Sequence, residues 1–178
     1  LVLAVKNYLN YQKSIVATNL STSMMLESIA NETIRTKIGE AHVVQKMNEL
    51  NIPIGGEGNG GVILKEVHLG RDSLVAISMI LSLLSSPRKS ISDEISNIPQ
   101  YLMIKDKILI DDKIDFDSLE TIFDCNEINK IDGIKCIWPT KWIHLRKSNT
   151  EPIIRIFAEA KNQDEVNELI NTKKNYIK

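Results

Sequence analysis

Over residues 1–84, short β-branched runs alternate with helical stripes, and few folds accept that alternation. Leu1, Val2, Val5 and Leu9 fall close to one face of a helix over residues 1–9. Residues 14–18 form an apolar run typical of a strand buried on both faces. The capping side chains of Asn19-Leu20-Ser21-Thr22-Ser23 predict a helix over residues 24–30, and residues 33–36 read as a second strand. Val43, Val44, Met47 and Leu50 make a helical stripe over residues 40–50. Ile52-Pro53-Ile54 enters a glycine-rich loop, Val62-Ile63-Leu64 leaves it as a strand, and Asp72 caps an apolar helix over residues 73–84 that Ser85-Ser86-Pro87 ends. This order predicts an α/β domain with a mixed sheet, because the glycine loop can join antiparallel neighbours.

The texture changes near Pro99, after a short helix over residues 91–98 capped by Ser90 or Ser92. Residues 101–110 predict a strand and residues 116–123 a helix. Asp132-Gly133 reads as a two-residue turn between apolar runs, hence a β-hairpin. Residues 141–146 and 153–158 predict two more strands, and a helix from Asp164 to about residue 176 closes the chain with Val166, Leu169 and Ile170 inward. The expected domains are therefore an α/β mixed-sheet domain over residues 1–98 and a small α+β domain with a mainly antiparallel sheet over residues 99–178.

The net charge of -1 over 178 residues gives no broad electrostatic reason to bind nucleic acid or an anionic membrane, although local basic clusters still suit small anions. Cys125 and Cys136 lack metal-ligand spacing and form no disulfide framework, so both are expected as buried reduced thiols. No apolar run approaches the ~20 residues of a membrane span. Residues 1–5 have no basic region before them, and a cytoplasmic location is the expectation. The chain begins without Met in what reads as mid-helix, which suggests a fragment or a processed form.

Two loops carry the chemistry. Arg146-Lys147-Ser148-Asn149-Thr150-Glu151-Pro152 joins two strands and concentrates guanidinium, ammonium, hydroxyl and amide donors. Such a cluster suits an oxyanion with several acceptor oxygens, above all phosphate, and loop N–H groups can add an anion nest. Strand alternation sends Ile143 and Leu145 to one face and Trp142, His144 and Arg146 to the other, polar side; Arg155 follows on the next strand. The same residues also fit an ordinary hairpin in which Arg146 pairs with Glu151.

Gly55-Gly56-Glu57-Gly58-Asn59-Gly60-Gly61 lacks the Lys-Ser/Thr ending of a P-loop and the strand–turn–long-helix setting of a dinucleotide fingerprint. A carboxylate and an amide on close-approaching backbone suit sugar hydroxyls: Glu57 would accept from two adjacent hydroxyls while Asn59 donates or accepts. A flexible hairpin turn explains the composition equally well. Lys37, at a strand end before Gly39, either reaches the same cleft or is simply solvated. His42, His68 and His144 are scattered without metal or triad spacing, and Asp111, Asp112, Asp115 and Asp117 read as a solvated connector.

Taken together, these loops resemble those of the α-D-phosphohexomutase superfamily. The segment from Arg146 to Pro152 looks like its phosphate-binding loop, and Gly56-Glu57-Gly58-Asn59-Gly60-Gly61 like its sugar-binding loop. Asn19-Leu20-Ser21-Thr22-Ser23, Arg35-Thr36-Lys37-Ile38-Gly39-Glu40, Gly70-Arg71-Asp72 and Asp132-Gly133 extend the similarity collinearly along essentially the whole chain. The wording is nearest the phosphoglucosamine mutase and phosphomannomutase branches.

The resemblance implies the third and fourth of four domains. The family's phosphoserine nucleophile and Mg²⁺-binding aspartates belong to the first two, so no catalytic or metal residue is expected in this chain. By analogy Lys37, Glu57 and Asn59 read the sugar, and Arg146, Ser148, Asn149, Thr150 and Arg155 hold the phosphate that is not transferred. The expected partners are a hexose phosphate and the missing N-terminal domains. The implied function is the C-terminal part of a mutase interconverting hexose 1- and 6-phosphates through a bisphosphate; a stand-alone sugar-phosphate binding module is the alternative. The family often has Ser where Asn59 stands and His where Gly61 stands, so no proton-transfer role carries over to that loop.

Overall fold

A computed structural model describes residues 1–85, 90–109, 124–148 and 150–177, with the backbone alone for residues 172–177. The chain divides into two units, Leu1–Gln100 and Tyr101–Lys178.

In the first unit, strand β1 (Val16–Asn19) is buried at every position. It lies parallel to both β2 (Thr33–Thr36) and β3 (Ile54–Gly56), and β4 (Val62–Leu64) returns antiparallel beside β3. The order β2-β1-β3-β4 makes the mixed sheet that the glycine loop predicts. Alternation divides its side chains between two cores. Val16, Ile54 and Val62 pack with Ala4 and Val5 of α1 (Val2–Tyr11) and with Val75 and Met79 of α3 (Ser73–Leu83). Ala17 and Ile63 pack instead with Val43 and Met47 of α2 (Glu40–Glu49). Helices therefore cover both faces, and each large side chain buried this way contributes about 1.5–3 kcal/mol. Asp72 caps α3 as expected, its Oδ1 accepting from the N–H groups of Leu74 and Val75. A short α4 (Ile91–Ser96) begins in a capping box between Ser90 and Asp93.

The helix expected over residues 24–30 is only a 3-10 turn, Met24–Ser28. The guanidinium of Arg35 takes the carbonyls of Asn19, Thr22 and Ser23 and the carboxylate of Glu27. Of these, the Ser23 carbonyl is the one that would open an α-helical ladder here, so the side chain competes with a regular helix start.

The second unit is an antiparallel sheet of β5 (Leu102–Leu109), β6 (Glu127–Asn129), β7 (Ile134–Trp138), β8 (Lys141–Lys147) and β9 (Ile153–Ala160), ordered β5-β9-β8-β7-β6. Ile143, Leu145, Ile154, Ile156 and Ala158 form one face and pack with Val166, Leu169 and Ile170 of α5 (Gln163–Ile177). Trp142 and His144 occupy the other face as alternation predicts, but both are fully buried, so that face is not simply polar. Trp142 Nε1 donates to Glu159 Oε2 at 2.6 Å, and Lys135 Nζ sits 4.1 Å from the centre of the Trp142 rings.

Asp132-Gly133 is not a two-residue turn. Residues 130–133 separate β6 from β7, and Asn129 Oδ1 accepts from Ile131 N at 3.1 Å to shape the bend. Gly133 has φ +87°, and a Cβ there would stand 2.3 Å from the Leu145 carbonyl oxygen, so the turn requires glycine. Cys136 is buried and Cys125 only half-buried; both are free thiols. Pro87, the helix expected over residues 116–123, and Asp111, Asp112, Asp115 and Asp117 lie outside the described residues.

Candidate functional site: a glycine-rich loop and a row of cations

The glycine loop closes on itself through Glu57 N to Gly61 O (3.0 Å) and Gly60 N to Glu57 O (3.1 Å). Gly56 has φ +154°, and a Cβ there would lie 2.0 Å from the Gly61 oxygen, so this approach excludes any side chain. Glu57 is only 5% exposed. Its Oε1 accepts from Asn19 Nδ2 at 2.7 Å and from Gly39 N at 3.0 Å. Asn19 is itself fixed, its Oδ1 accepting from Ser21 N and Thr22 Oγ1. Oε1 is thus spent on the protein, and Oε2, 3.9 Å from Arg71 NH1, is the oxygen left to accept from hydroxyls. Burying a carboxylate with two N–H donors is what makes its position rigid.

Asn59 is exposed and turns its Oδ1 back to Gly61 N at 3.1 Å, which leaves its Nδ2 as a donor for a ligand. A cleft of about 500 Å³ opens beside it, lined by Glu40, Asn59, Gly61, Arg71, Asp72 and Ser73 among others. Lys37 stands exposed just beyond β2 and is not among the lining residues. Arg71, to which the sequence assigned no role beyond its place in Gly70-Arg71-Asp72, is: its Nε donates to Glu40 Oε2 at 2.7 Å and its backbone N to Glu40 Oε1 at 2.9 Å. These bonds hold the Glu40 carboxyl below the ordinary carboxylate range, so it stays ionised.

In the second unit, Arg146 leaves β8 directly opposite Arg155 on β9, and Arg155 faces Lys107 on β5. Three cations thus stand in register across three strands. Like charges directly opposite one another repel, and the protein offsets this with carboxylates. Arg146 Nε donates to Asp132 Oδ1 at 3.0 Å, and Arg155 NH2 lies 3.5 Å from Glu151 Oε2. The hairpin alternative, Arg146 with Glu151, is therefore replaced by two different pairs. Sequence reasoning also missed Lys107; its only signal was its place in an alternating strand.

The turn that supplies Asp132 is gripped a second time. His144 Nε2 meets the Asp132 carbonyl oxygen at 2.5 Å, a contact a neutral imidazole makes by donating its Nε2 proton. Burial, opposed in part by that bond, pushes the His144 pKa down to about 4. Beyond β8, Ser148 N donates to Ile153 O at 2.9 Å, and Thr150 N approaches Ser148 Oγ at 3.5 Å. Ser148 and Thr150 border the loop beside Arg146, while Asn149 lies outside the described residues. A cleft of about 480 Å³ lined by Lys105, Lys107, Glu151, Arg155 and Phe157 adjoins the row of cations.

This chain matches phosphoglucomutase/phosphomannomutase alpha/beta/alpha domain III over residues 1–101 and the C-terminal domain of the same family over residues 107–172. It belongs to the phosphoglucomutase/phosphomannomutase family, within the α-D-phosphohexomutase superfamily. It is 34% identical to a phosphoglucomutase/phosphomannomutase of Thermococcus kodakarensis, over 88% of this chain and 36% of the relative. With a phosphoglucosamine/phosphogalactosamine mutase of Sulfurisphaera tokodaii it shares 31% identity over 93% of this chain and 38% of the relative. The chain therefore spans little more than a third of the length of these curated relatives. Among solved structures, a phosphoglucomutase/phosphomannomutase family protein from Burkholderia thailandensis superposes with a TM-score of 0.75 at 21% identity, covering 98% of this chain and 40% of that one. An N-acetylglucosamine-phosphate mutase solved in its substrate complex gives 0.66 at 17% identity, covering 99% of this chain and 42% of the other.

Among the described residues, no group of three or more His, Cys, Asp or Glu is placed to hold a metal ion. These residues do not fit the Mg²⁺ that the family implies. Among the same residues, no helix is long and apolar enough to cross a membrane.

Proposed function

We propose that this chain is the sugar- and phosphate-binding part of a phosphohexomutase that interconverts hexose 1-phosphate and hexose 6-phosphate, with glucosamine or mannose phosphate as substrate. The observation that carries the reading is the cross-strand register of Arg146 with Arg155 at the loop containing Ser148, Asn149 and Thr150. Two guanidiniums in register, each offset by one carboxylate and each with further N–H donors, form a natural clamp for the phosphate that does not react. Glu57 Oε2 and Asn59 Nδ2, on a loop fixed from behind by Asn19 and Gly39, read sugar hydroxyls; Lys37, exposed just beyond β2, reaches the same ligand in this reading.

In this reading the nucleophilic phosphoserine and the ligands of Mg²⁺ belong to N-terminal domains outside this chain. A phosphoryl group passes to the sugar, the resulting bisphosphate reorients, and its other phosphate returns to the serine. Both orientations need the same anion clamp and a hydroxyl reader that tolerates the flip. This chain supplies positioning, and transition-state chemistry of phosphoryl transfer depends heavily on positioning. The relatives that carry mutase names, including the phosphoglucosamine mutases of Methanococcus maripaludis, support the substrate class.

An activity panel of glucosamine, mannose and glucose phosphates on the full-length protein tests the proposal. Interconversion of at least one pair of 1- and 6-phosphates is expected. Binding of hexose phosphate with no turnover of any of them would identify a sugar-phosphate binding module instead.

A further inference from the structure

His144 is fully buried in the middle of β8, two residues before Arg146 and on the same face of the sheet. Its ring rests beside Phe157 of β9, the centroids 6.3 Å apart, and its Nε2 reaches the carbonyl oxygen of Asp132. Arg146 Nε donates to the carboxylate of that same residue at 3.0 Å. Two side chains of one strand thus grip one residue of the neighbouring turn, His144 by its main chain and Arg146 by its side chain.

The strand leaves that turn no room to shift. A Cβ on Gly133 would stand 2.3 Å from the Leu145 carbonyl oxygen and 3.2 Å from Arg146 Cα, so the turn lies directly on β8 between the two gripping residues. A carboxylate held from behind in this way meets Arg146 from one direction, and a guanidinium bonded at Nε to a fixed partner loses its freedom to swing. Lys135 of β7 lies opposite His144, and Arg155 and Glu159 lie on either side of Phe157 on β9. Burial first, with Lys135 and Arg146 adding to it against the bond to Asp132, keeps the imidazole neutral. In that form it has one N–H to give and places no further positive charge beside Arg146.

We infer that His144 is a positioning residue of the phosphate clamp: by holding the Asp132 main chain it fixes the carboxylate against which Arg146 aims NH1 and NH2 at the anion. This role presupposes the clamp proposed above for Arg146 and Arg155. His144 makes no ligand contact and transfers no proton; it acts through Arg146. A histidine that only filled the core would matter to folding and not to phosphate.

The test is calorimetric titration of inorganic phosphate into the full-length protein and its His144→Gln, His144→Met and Arg146→Ala variants, together with the His144→Met, Arg146→Ala double variant. Gln and Met are close in length and volume, but only Gln has an N–H to give Asp132. His144→Gln is expected to bind phosphate within about twofold of wild type and His144→Met about three- to tenfold more weakly, the value of one lost hydrogen bond. Without the Arg146 side chain, His144→Met should cost no further affinity. Equal affinities for the Gln and Met variants, or an undiminished Met effect in the absence of Arg146, would overturn the role while the clamp survives. Wild-type phosphate affinity in Arg146→Ala would remove the clamp and this role with it. Should the Met variant fail to fold, hydrogen exchange of the His144 Nε2 proton decides: saturating phosphate is expected to slow it in the wild type, by the reciprocity of linked equilibria, and to leave it unchanged in Arg146→Ala. Exchange indifferent to phosphate in the wild type would contradict the role.

Discussion

Arg146 Nε and Asp132 Oδ1 are 3.0 Å apart, a pair that ties the strand carrying the phosphate-type loop to the turn before β7. The bond uses the inner edge of the guanidinium and leaves NH1 and NH2, the nitrogens that grip a phosphate in a fork, for a ligand. Asp132 also supplies one of the carboxylates that offset the row Lys107, Arg155, Arg146.

Removing that charge should make the empty site less stable and more responsive to anions. Asp132→Asn keeps an oxygen for Arg146 Nε but leaves the row of cations undercompensated. A loss of about 1 kcal/mol in the absence of ligand is expected. Inorganic phosphate should then raise the melting temperature of the variant by more than it raises that of the wild type. An identical phosphate response in both proteins would show that Asp132 does not belong to the electrostatics of the site.

His144 gives the fold a pH dependence with a definite sign. Its pKa is about 4 in the folded protein and near 6.5 when unfolded, so between those values only the unfolded chain takes up the proton. The contribution is complete above pH 6.5 and is lost as pH falls toward about 4, roughly 3 kcal/mol in all. Denaturant titrations from pH 4 to pH 7 should show stability rising with pH, and His144→Gln should flatten that rise. An unchanged slope in the variant would mean that other groups set it.

Glu57→Gln removes the one carboxylate oxygen the sugar-type loop can still offer. Turnover of hexose phosphate by the full-length protein should fall well below wild type, while the affinity for inorganic phosphate at Arg146 stays the same. Equal effects on both would remove the division of labour between the two loops.

Much of this was legible in the residues, and the exceptions have physical causes. β-branched runs marked β1 and β2, and Asp72 announced α3, because burial on both faces and an N-cap are local requirements. The 3-10 turn at Met24–Ser28 was not legible because its N-cap carbonyl, that of Ser23, is engaged by Arg35, a residue of the next strand. Alternation put Trp142 and His144 on the correct face yet could not reveal that both are buried. Glu57 lost one oxygen to Asn19, which is remote in sequence and brought close only by the parallel pairing of β1 with β3. Arg71, quoted only within Gly70-Arg71-Asp72, was not tied to the glycine loop because that link is the space above Gly61, a relation that exists only in three dimensions.

The central claim, that the loop from Arg146 to Pro152 clamps the phosphate that does not react, meets its most direct test in calorimetric titration of hexose phosphate into the full-length Arg146→Ala protein. A loss of about 2–4 kcal/mol in binding is expected, as for other charge-assisted clamps, with the fold intact. Wild-type affinity in that variant would contradict the assignment.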